Sequence, residues 1–135
     1  MAVADRSGLP VAVGIASGER NEQKLVAETL RARFVEALPT KLIGDKAYDS
    51  DPLDAQLATQ GIEMIAPNLS TRAIQSQDRR KLRCYKRRWR IERLFAWLMR
   101  CRRLVTRYEC KAENFLGFVQ LACIVILSRR LRDAF

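Results

Sequence analysis

The stretch from Cys84 to Leu98 constrains the fold most, because its apolar residues recur at the spacing of an amphipathic helix. No Gly or Pro interrupts it. One apolar stripe is formed at i, i+3, i+4 and i+7 by Ile91, Leu94, Phe95 and Leu98. The pattern predicts a helix with one buried face, which we expect to continue through Met99 to Arg103.

A single carboxylate, Glu92, lies in this helix among basic residues. Tyr85 and Arg88 precede it by 7 and 4 positions, so the three side chains are predicted to lie near one another beside the apolar stripe. These residues alone leave two interpretations open. Glu92 forms an ordinary surface ion pair, worth less than ~1 kcal/mol, or it holds a metal ion against a polyanion.

A second stretch carries another candidate acid. Residues Lys41 to Gly44 form a short apolar run that predicts a strand, and Asp45 follows at its carboxyl end. In open α/β sheets ligands gather just beyond the carboxyl ends of strands. Asp45 is therefore a candidate metal ligand.

Together the two stretches resemble a known family. The segment Gly-Asp-Lys-Ala-Tyr-Asp-Ser at residues 44–50 and the spacing Tyr-x-x-Arg-x-x-x-Glu at residues 85–92 resemble the last two catalytic blocks of DDE transposases of bacterial insertion sequences, of the insertion-sequence-five type. The resemblance extends from about Leu9 to about Leu127. It implies that Asp45 and Glu92 are catalytic metal ligands, the second and third acids of the family, supported by Tyr85 and Arg88.

The resemblance also implies a fold and a cofactor. The expected architecture is an α/β, ribonuclease-H-like mixed sheet with flanking helices, and the crossover order of strands and helices fits it. Such enzymes hold two divalent ions between three acids to cleave and join phosphodiesters. Mg²⁺ suits that task, and we expect the two-ion site only in the complete enzyme.

The chain departs from the family pattern at two positions. No candidate for the first acid lies on the expected strand, because Asp5 opens a Gly-containing turn and is predicted to bond its own backbone. Met99 stands where relatives often carry a basic residue. We therefore interpret residues 1–135 as the C-terminal part of a DDE catalytic domain whose first strand is missing, either a frameshifted reading frame or a decayed remnant.

Positive charge is concentrated in the second half of the chain. Residues 79–135 contain 17 basic and 4 acidic side chains, whereas residues 1–78 contain 8 and 11. This asymmetry favours binding to a phosphate backbone. The predicted DNA-binding residues, called the basic band here, are Arg79, Arg80, Lys81, Arg83, Lys86, Arg87, Arg90, Arg93, Arg100, Arg102 and Arg103. Trp89 and Trp97 are predicted to be core residues rather than base-stacking ones.

The rest of the chain predicts ordinary structural elements. In the first half of the chain we expect a hairpin around Arg6-Ser7-Gly8, a helix from Asn21 to Leu38 closed by Pro39, and a helix capped by Asp51. A strand over residues 62–66 and a polar loop at about 68–80 should follow, and a last helix should extend from about Ala112 to Arg132. The apolar run from Phe115 to Leu127 contains Gln120 and is too short to span a bilayer. It is predicted to be a buried helix.

The cysteine and histidine content narrows the chemistry and the compartment. The four cysteines form no Cys-x-x-Cys pair and the chain has no His, so a zinc site of the usual kind is not expected. No signal sequence is visible, and we predict reduced thiols in a cytoplasmic protein without membrane contact.

The sequence thus predicts a transposase fragment that binds DNA and is inactive alone. Its expected partners are DNA and an upstream transposase segment or a second transposase chain, and self-association is possible through an open sheet edge. Two alternatives remain: a non-catalytic DNA-binding remnant, and a partner chain of a full-length transposase.

Overall fold

A computed structural model describes residues 1–71 and 82–133. The strands are β1 (Ala2–Ala4), β2 (Pro10–Val13), β3 (Lys41–Ile43) and β4 (Glu63–Ile65). The helices are α1 (Glu22–Arg31), α2 (Asp51–Ala58), α3 (Trp89–Leu98), α4 (Arg102–Val105) and α5 (Ala112–Arg132), with short 3-10 helices at Lys46–Tyr48 and Arg83–Arg87. The protein is a mixed α/β structure in which the described strands form two small sheets.

The predicted hairpin is confirmed. β1 pairs with β2 in antiparallel register, with an irregularity between Val3 and Ala4. Asp5 makes the predicted turn, because its Oδ1 accepts hydrogen bonds from the backbone N–H groups of Ser7 (2.7 Å) and Leu9 (2.8 Å). Gly8 adopts a φ of 78°, a left-handed conformation that glycine tolerates best.

The second sheet ends at the candidate site. β3 and β4 pair in parallel, with Leu42 opposite Met64, and α2 connects them. A Cβ at Gly44 would lie 2.7 Å from Cδ2 of Tyr48, so the chain packs closely where it leaves β3 towards Asp45. In α2 the N-cap is Ser50 rather than the predicted Asp51, which is the first helical residue.

Two hydrophobic clusters lie on opposite faces of the hairpin. Along β1, Ala2 and Ala4 pack against a cluster built around Leu94 of α3 and Cys123 of α5. Val3 packs against the other cluster, whose buried residues come from α1, α2 and the approach to β4. Side chains alternate between the two faces of a strand, so the hairpin is a layer between two groups of helices.

The predicted range for α1 was too long. The helix ends at Arg31 rather than Leu38, because the chain then turns to run beside β2: the N–H of Phe34 donates to the Val11 carbonyl at 2.7 Å, and Arg33 bridges to Ala12. Backbone pairing thus replaces the last helical turns. Phe34 and Val35, which were predicted to face inward on a longer helix, are exposed, as is Leu38.

The central helix is shorter than predicted at its C-terminal end. α3 ends at Leu98, and the extended backbone of Cys101 separates it from α4. Upstream of α3, Arg83–Arg87 forms a 3-10 helix. This places the arginines at positions 102 and 103 on a separate helix.

The last helix has the predicted bounds but is not buried. Only Ala122 and Cys123 are buried along the 21 residues of α5, since one face packs on α3, α4 and β2 while Leu121 and Ile124 are exposed. By length and composition alone α5 could cross a membrane, a property that core helices of soluble proteins share. We predicted from the apolar run alone, Phe115 to Leu127, that this segment is too short to span a bilayer. The helix extends beyond that run at both ends.

Candidate functional site

Asp45 is held at the carboxyl end of β3 by its own backbone. It caps the 3-10 helix at Lys46–Tyr48, and its Oδ1 accepts a hydrogen bond from the Ala47 N–H at 3.0 Å. Its Oδ2 lies 3.6 Å from Nη2 of Arg88. Oδ1 therefore fixes the orientation of the side chain, and Oδ2 faces Arg88, which immediately precedes α3.

Arg88 brings the two candidate acids together. The same Nη2 that faces Asp45 lies 4.0 Å from Oε1 of Glu92, one turn along the helix. Asp45 Oδ2 and Glu92 Oε1 can therefore be no farther apart than the sum of these two distances. The two acids, 47 positions apart in the sequence, meet at one guanidinium.

Tyr85 completes the cluster on the other side of the guanidinium. Arg88 Nη1 donates to the Tyr85 hydroxyl at 3.3 Å, and the guanidinium carbon lies 6.0 Å from the ring centroid. This hydrogen bond, with the charges of Asp45 and Glu92, raises the pKa of Arg88 above its usual value. The four residues predicted to share a site thus contact one another through Arg88.

The N-terminal turn of α1 supports the Asp45 loop, a contact that the sequence did not predict. Gln23 Nε2 donates to the Ala47 carbonyl at 2.6 Å. Burial, then the charges of Glu22 and Asp45, raise the pKa of Tyr48 to about 12. The position of Glu22 at the start of a helix predicts only a helix-end role, and no spacing in the sequence connects it with residues 45–48.

The two carboxylates of the site are, by their chemistry, suited to bind a divalent cation. Carboxylate oxygens are the ligands that Mg²⁺ prefers, and both acids already face one positive charge. Within residues 1–71 and 82–133, no three His, Cys, Asp or Glu side chains are grouped so that they could hold a metal ion.

The basic band divides into two groups, called here the outer face and the inner face, according to whether the side chain is mainly open to solvent or contacts other elements. On the outer face the exposed residues are Arg83, Lys86, Arg87, Arg100 and Arg102, with half-buried Arg90 beside them. Three further predicted DNA-binding residues, Arg79, Arg80 and Lys81, lie outside the described residues, as does most of the predicted loop at 68–80. The exposed side chains of the outer face are therefore open to solvent.

Arg93 belongs to the inner face instead. Its guanidinium lies 4.7 Å from the ring centroid of Trp89 and 4.9 Å from that of Trp97, and Nη2 donates to the Ser7 carbonyl in the hairpin turn. Trp97 packs on the core as predicted. Trp89 does not: it is 49% exposed, so the prediction that it is a core residue was wrong.

Arg103 also contacts other residues of the chain, although its own side chain is 61% exposed. Its Nη1 lies 3.5 Å from Oε1 of Glu109, whose side chain is only 8% exposed. Its guanidinium carbon is 5.7 Å from the ring centroids of both Tyr108 and Phe118. Arg93 therefore connects α3 with the hairpin turn, whereas Arg103 makes contacts within the chain and remains open to solvent.

Comparison with known proteins identifies the family to which the chain is related. The family described as "Transposase DDE domain" matches residues 1–127. A candidate transposase for insertion sequence element IS6501 of Brucella ovis is 38% identical over 90 residues, covering 65% of this chain and 67% of that protein. A candidate transposase for insertion sequence element IS402 of Burkholderia cepacia is 32% identical over 96 residues, covering 71% of this chain and 42% of the relative.

No solved structure matches the chain significantly. The family match includes both candidate acids and the helix that carries Tyr85, Arg88 and Glu92. The chain belongs to the transposase DDE domain family and is related to transposases of bacterial insertion sequences.

Proposed function

We propose that the chain is the C-terminal part of a DDE transposase and serves metal-dependent cleavage and joining of DNA in transposition. The observation that carries this proposal is the convergence of Asp45 and Glu92 on Arg88, within 3.6 and 4.0 Å of one nitrogen. The exposed outer face of the basic band lies on and around the helix that carries Glu92. The carboxylates that are proposed to hold the ion thus lie near the basic side chains that are proposed to bind phosphates.

In this proposal Asp45 and Glu92 hold a divalent cation, with Mg²⁺ as the expected ion. The bound ion supplies charge stabilisation to the attacking and leaving oxygens of a phosphodiester. Asp45 is oriented for this task by the Ala47 N–H. Tyr85 holds Arg88 beside the acids, where the guanidinium also limits their mutual repulsion.

The proposed fold is ribonuclease-H-like and lacks its first strand. Among the described residues β1 pairs only with β2, and β3 only with β4, so each small sheet keeps an edge that a further strand could pair with. A strand between β1 and β3 would join both sheets and carry the third acid. We expect an upstream transposase segment or a second transposase chain to supply this strand. We expect the protein to act in the cytoplasm.

A paired assay tests the proposal. Residues 1–135 alone should not nick DNA with Mg²⁺ or Mn²⁺, because two carboxylates cannot fix both ions of a two-metal site. Fusing an upstream segment with an acid-bearing strand should restore cleavage. Asp45→Asn or Glu92→Gln should then abolish cleavage and leave DNA affinity unchanged or slightly higher.

The second candidate is a DNA-binding protein without catalysis. It is favoured by the finding that the described residues contain no group of three metal-ligating side chains. Such a protein would bind DNA through the outer face and gain no activity from the added segment. Metal-dependent nicking by residues 1–135 alone would contradict the non-catalytic candidate, and it would also overturn the proposal that the first candidate is inactive without an upstream segment.

A further inference from the structure

Arg88 faces both of the acids that are proposed to hold the cation. Its Nη2 faces Asp45 Oδ2 at 3.6 Å and Glu92 Oε1 at 4.0 Å. A Mg²⁺ ion binds carboxylate oxygens at about 2.0–2.1 Å, so an ion shared by these two oxygens would lie within a few ångströms of that nitrogen. Two cations at such a separation repel each other strongly.

The acids hold Arg88 loosely, and Tyr85 holds it from the other side. Charge-assisted hydrogen bonds between a guanidinium and a carboxylate are usually about 2.7–2.9 Å long, shorter than either distance here. Nη1 makes a contact within hydrogen-bonding range to the Tyr85 hydroxyl, at 3.3 Å. Arg88 can therefore leave the acids while it remains bound to Tyr85.

The acids are also open to solvent. The side chains of Arg88 and Asp45 are each 37% exposed, and that of Glu92 is 64% exposed. Ion pairs this exposed contribute only about 1 kcal/mol or less. A divalent ion arriving from solution can thus replace the guanidinium without a large cost.

We propose that Arg88 is an exchangeable counter-ion of the Asp45–Glu92 pair, which a divalent cation must displace and which Tyr85 retains nearby. The inference rests on the proposed function, since it assumes that these two acids bind the ion. Arg88 keeps the acids close before the ion arrives, and it weakens ion binding because it competes for the same oxygens.

Mn²⁺ affinity, measured by water-proton relaxation on residues 1–135, tests the competition. Arg88→Gln should bind Mn²⁺ about fivefold more tightly than the unchanged chain, the factor expected when an ion pair of about 1 kcal/mol no longer has to be broken. Tyr85→Phe should bind about twofold more weakly, because Arg88 then rests on the acids alone.

The matched control is Lys46→Ala, which removes an equal charge from the position next to Asp45. It should change the affinity less than twofold. Circular dichroism verifies that each variant is folded, and Arg88→Lys provides a second variant with an intermediate expected affinity. The side-chain Nε–H resonance of Arg88 should also shift on Mg²⁺ addition, while that of Arg90 should not.

The outcomes separate this inference from the proposed function. If Asp45→Asn and Glu92→Gln leave Mn²⁺ binding unchanged, the proposed ion site and the inference both fail. If those variants abolish binding but Arg88→Gln binds no more tightly than Lys46→Ala, the ion site stands and the exchange is overturned. A stationary Arg88 resonance would overturn it as well.

Discussion

The inner and outer faces of the basic band carry the same residue types but have different surroundings. On the inner face, Arg93 lies between two indole rings and contacts the hairpin turn. On the outer face, Lys86, Arg87 and Arg102 are exposed. A high density of positive charge therefore does not measure DNA contact, because Arg93 is engaged in contacts within the domain.

The largest expected effect is on stability, from Arg93→Ala. The substitution removes two cation–π contacts and a charge-assisted hydrogen bond to Ser7, and we expect the free energy of unfolding to fall by roughly 2–3 kcal/mol. Urea denaturation followed by tryptophan fluorescence measures it. Arg90→Ala is the control, because among the described residues the Arg90 guanidinium lies over a single ring, that of Trp89, at 5.7 Å. Equal losses in the two variants would remove the distinction between the faces.

Gly8→Ala tests the same contact from the hairpin side. A Cβ there would lie 2.7 Å from Arg93 Nη2, on a backbone with a φ of 78°, and we expect a loss of roughly 1–2 kcal/mol. Gly61→Ala is the matched control, since Gly61 has a φ of 73° and a Cβ added to it would meet no described atom within 4 Å. Gly61→Ala should lower the free energy of unfolding only by the cost of placing Ala at a positive φ.

A double variant sharpens this comparison. Combining Gly8→Ala with Arg93→Ala should cost less than the two single losses together, because the clashing guanidinium is absent. Strictly additive losses would show that Gly8 and Arg93 do not act through their contact. The same denaturation measurement decides between these outcomes.

The smallest expected effect on stability comes from the outer face. Replacing Lys86, Arg87 and Arg102 together by Ala should change the free energy of unfolding by less than about 0.5 kcal/mol per site. The same variant should bind duplex DNA more weakly, with a salt dependence flattened by about 0.9 per lost phosphate contact. Fluorescence anisotropy at several salt concentrations measures it. Unchanged binding across that range would refute the role of this face in DNA binding.

Local patterns predicted the elements that carry the site. The period of the apolar residues located the helix at Glu92, and the turn chemistry of Asp5 located the hairpin. The bounds of α5 were also predicted from the sequence. These features depend on residues within one or two turns of each other, where propensity and periodicity decide the conformation.

Non-local contacts decided what the sequence could not show. α1 ends early because Phe34 pairs with β2, and Trp89 remains exposed although it is large and aromatic. The 3.6 and 4.0 Å approaches of Arg88 to the two acids join segments that are distant in the chain. Family resemblance suggested that Asp45 and Glu92 belong together, and the helical spacing placed Arg88 beside Glu92, whereas no spacing rule placed Arg88 beside Asp45.

The position of the hairpin between the two clusters affects how the chain folds during synthesis. Val13 of the hairpin packs in the same cluster as Cys123 of α5, so two segments near opposite ends of the chain must meet. Contacts of such high sequence separation form late and slowly. While the ribosome has yet to release α5, one face of the hairpin remains uncovered, and we expect this nascent intermediate to be the state most prone to aggregation and proteolysis.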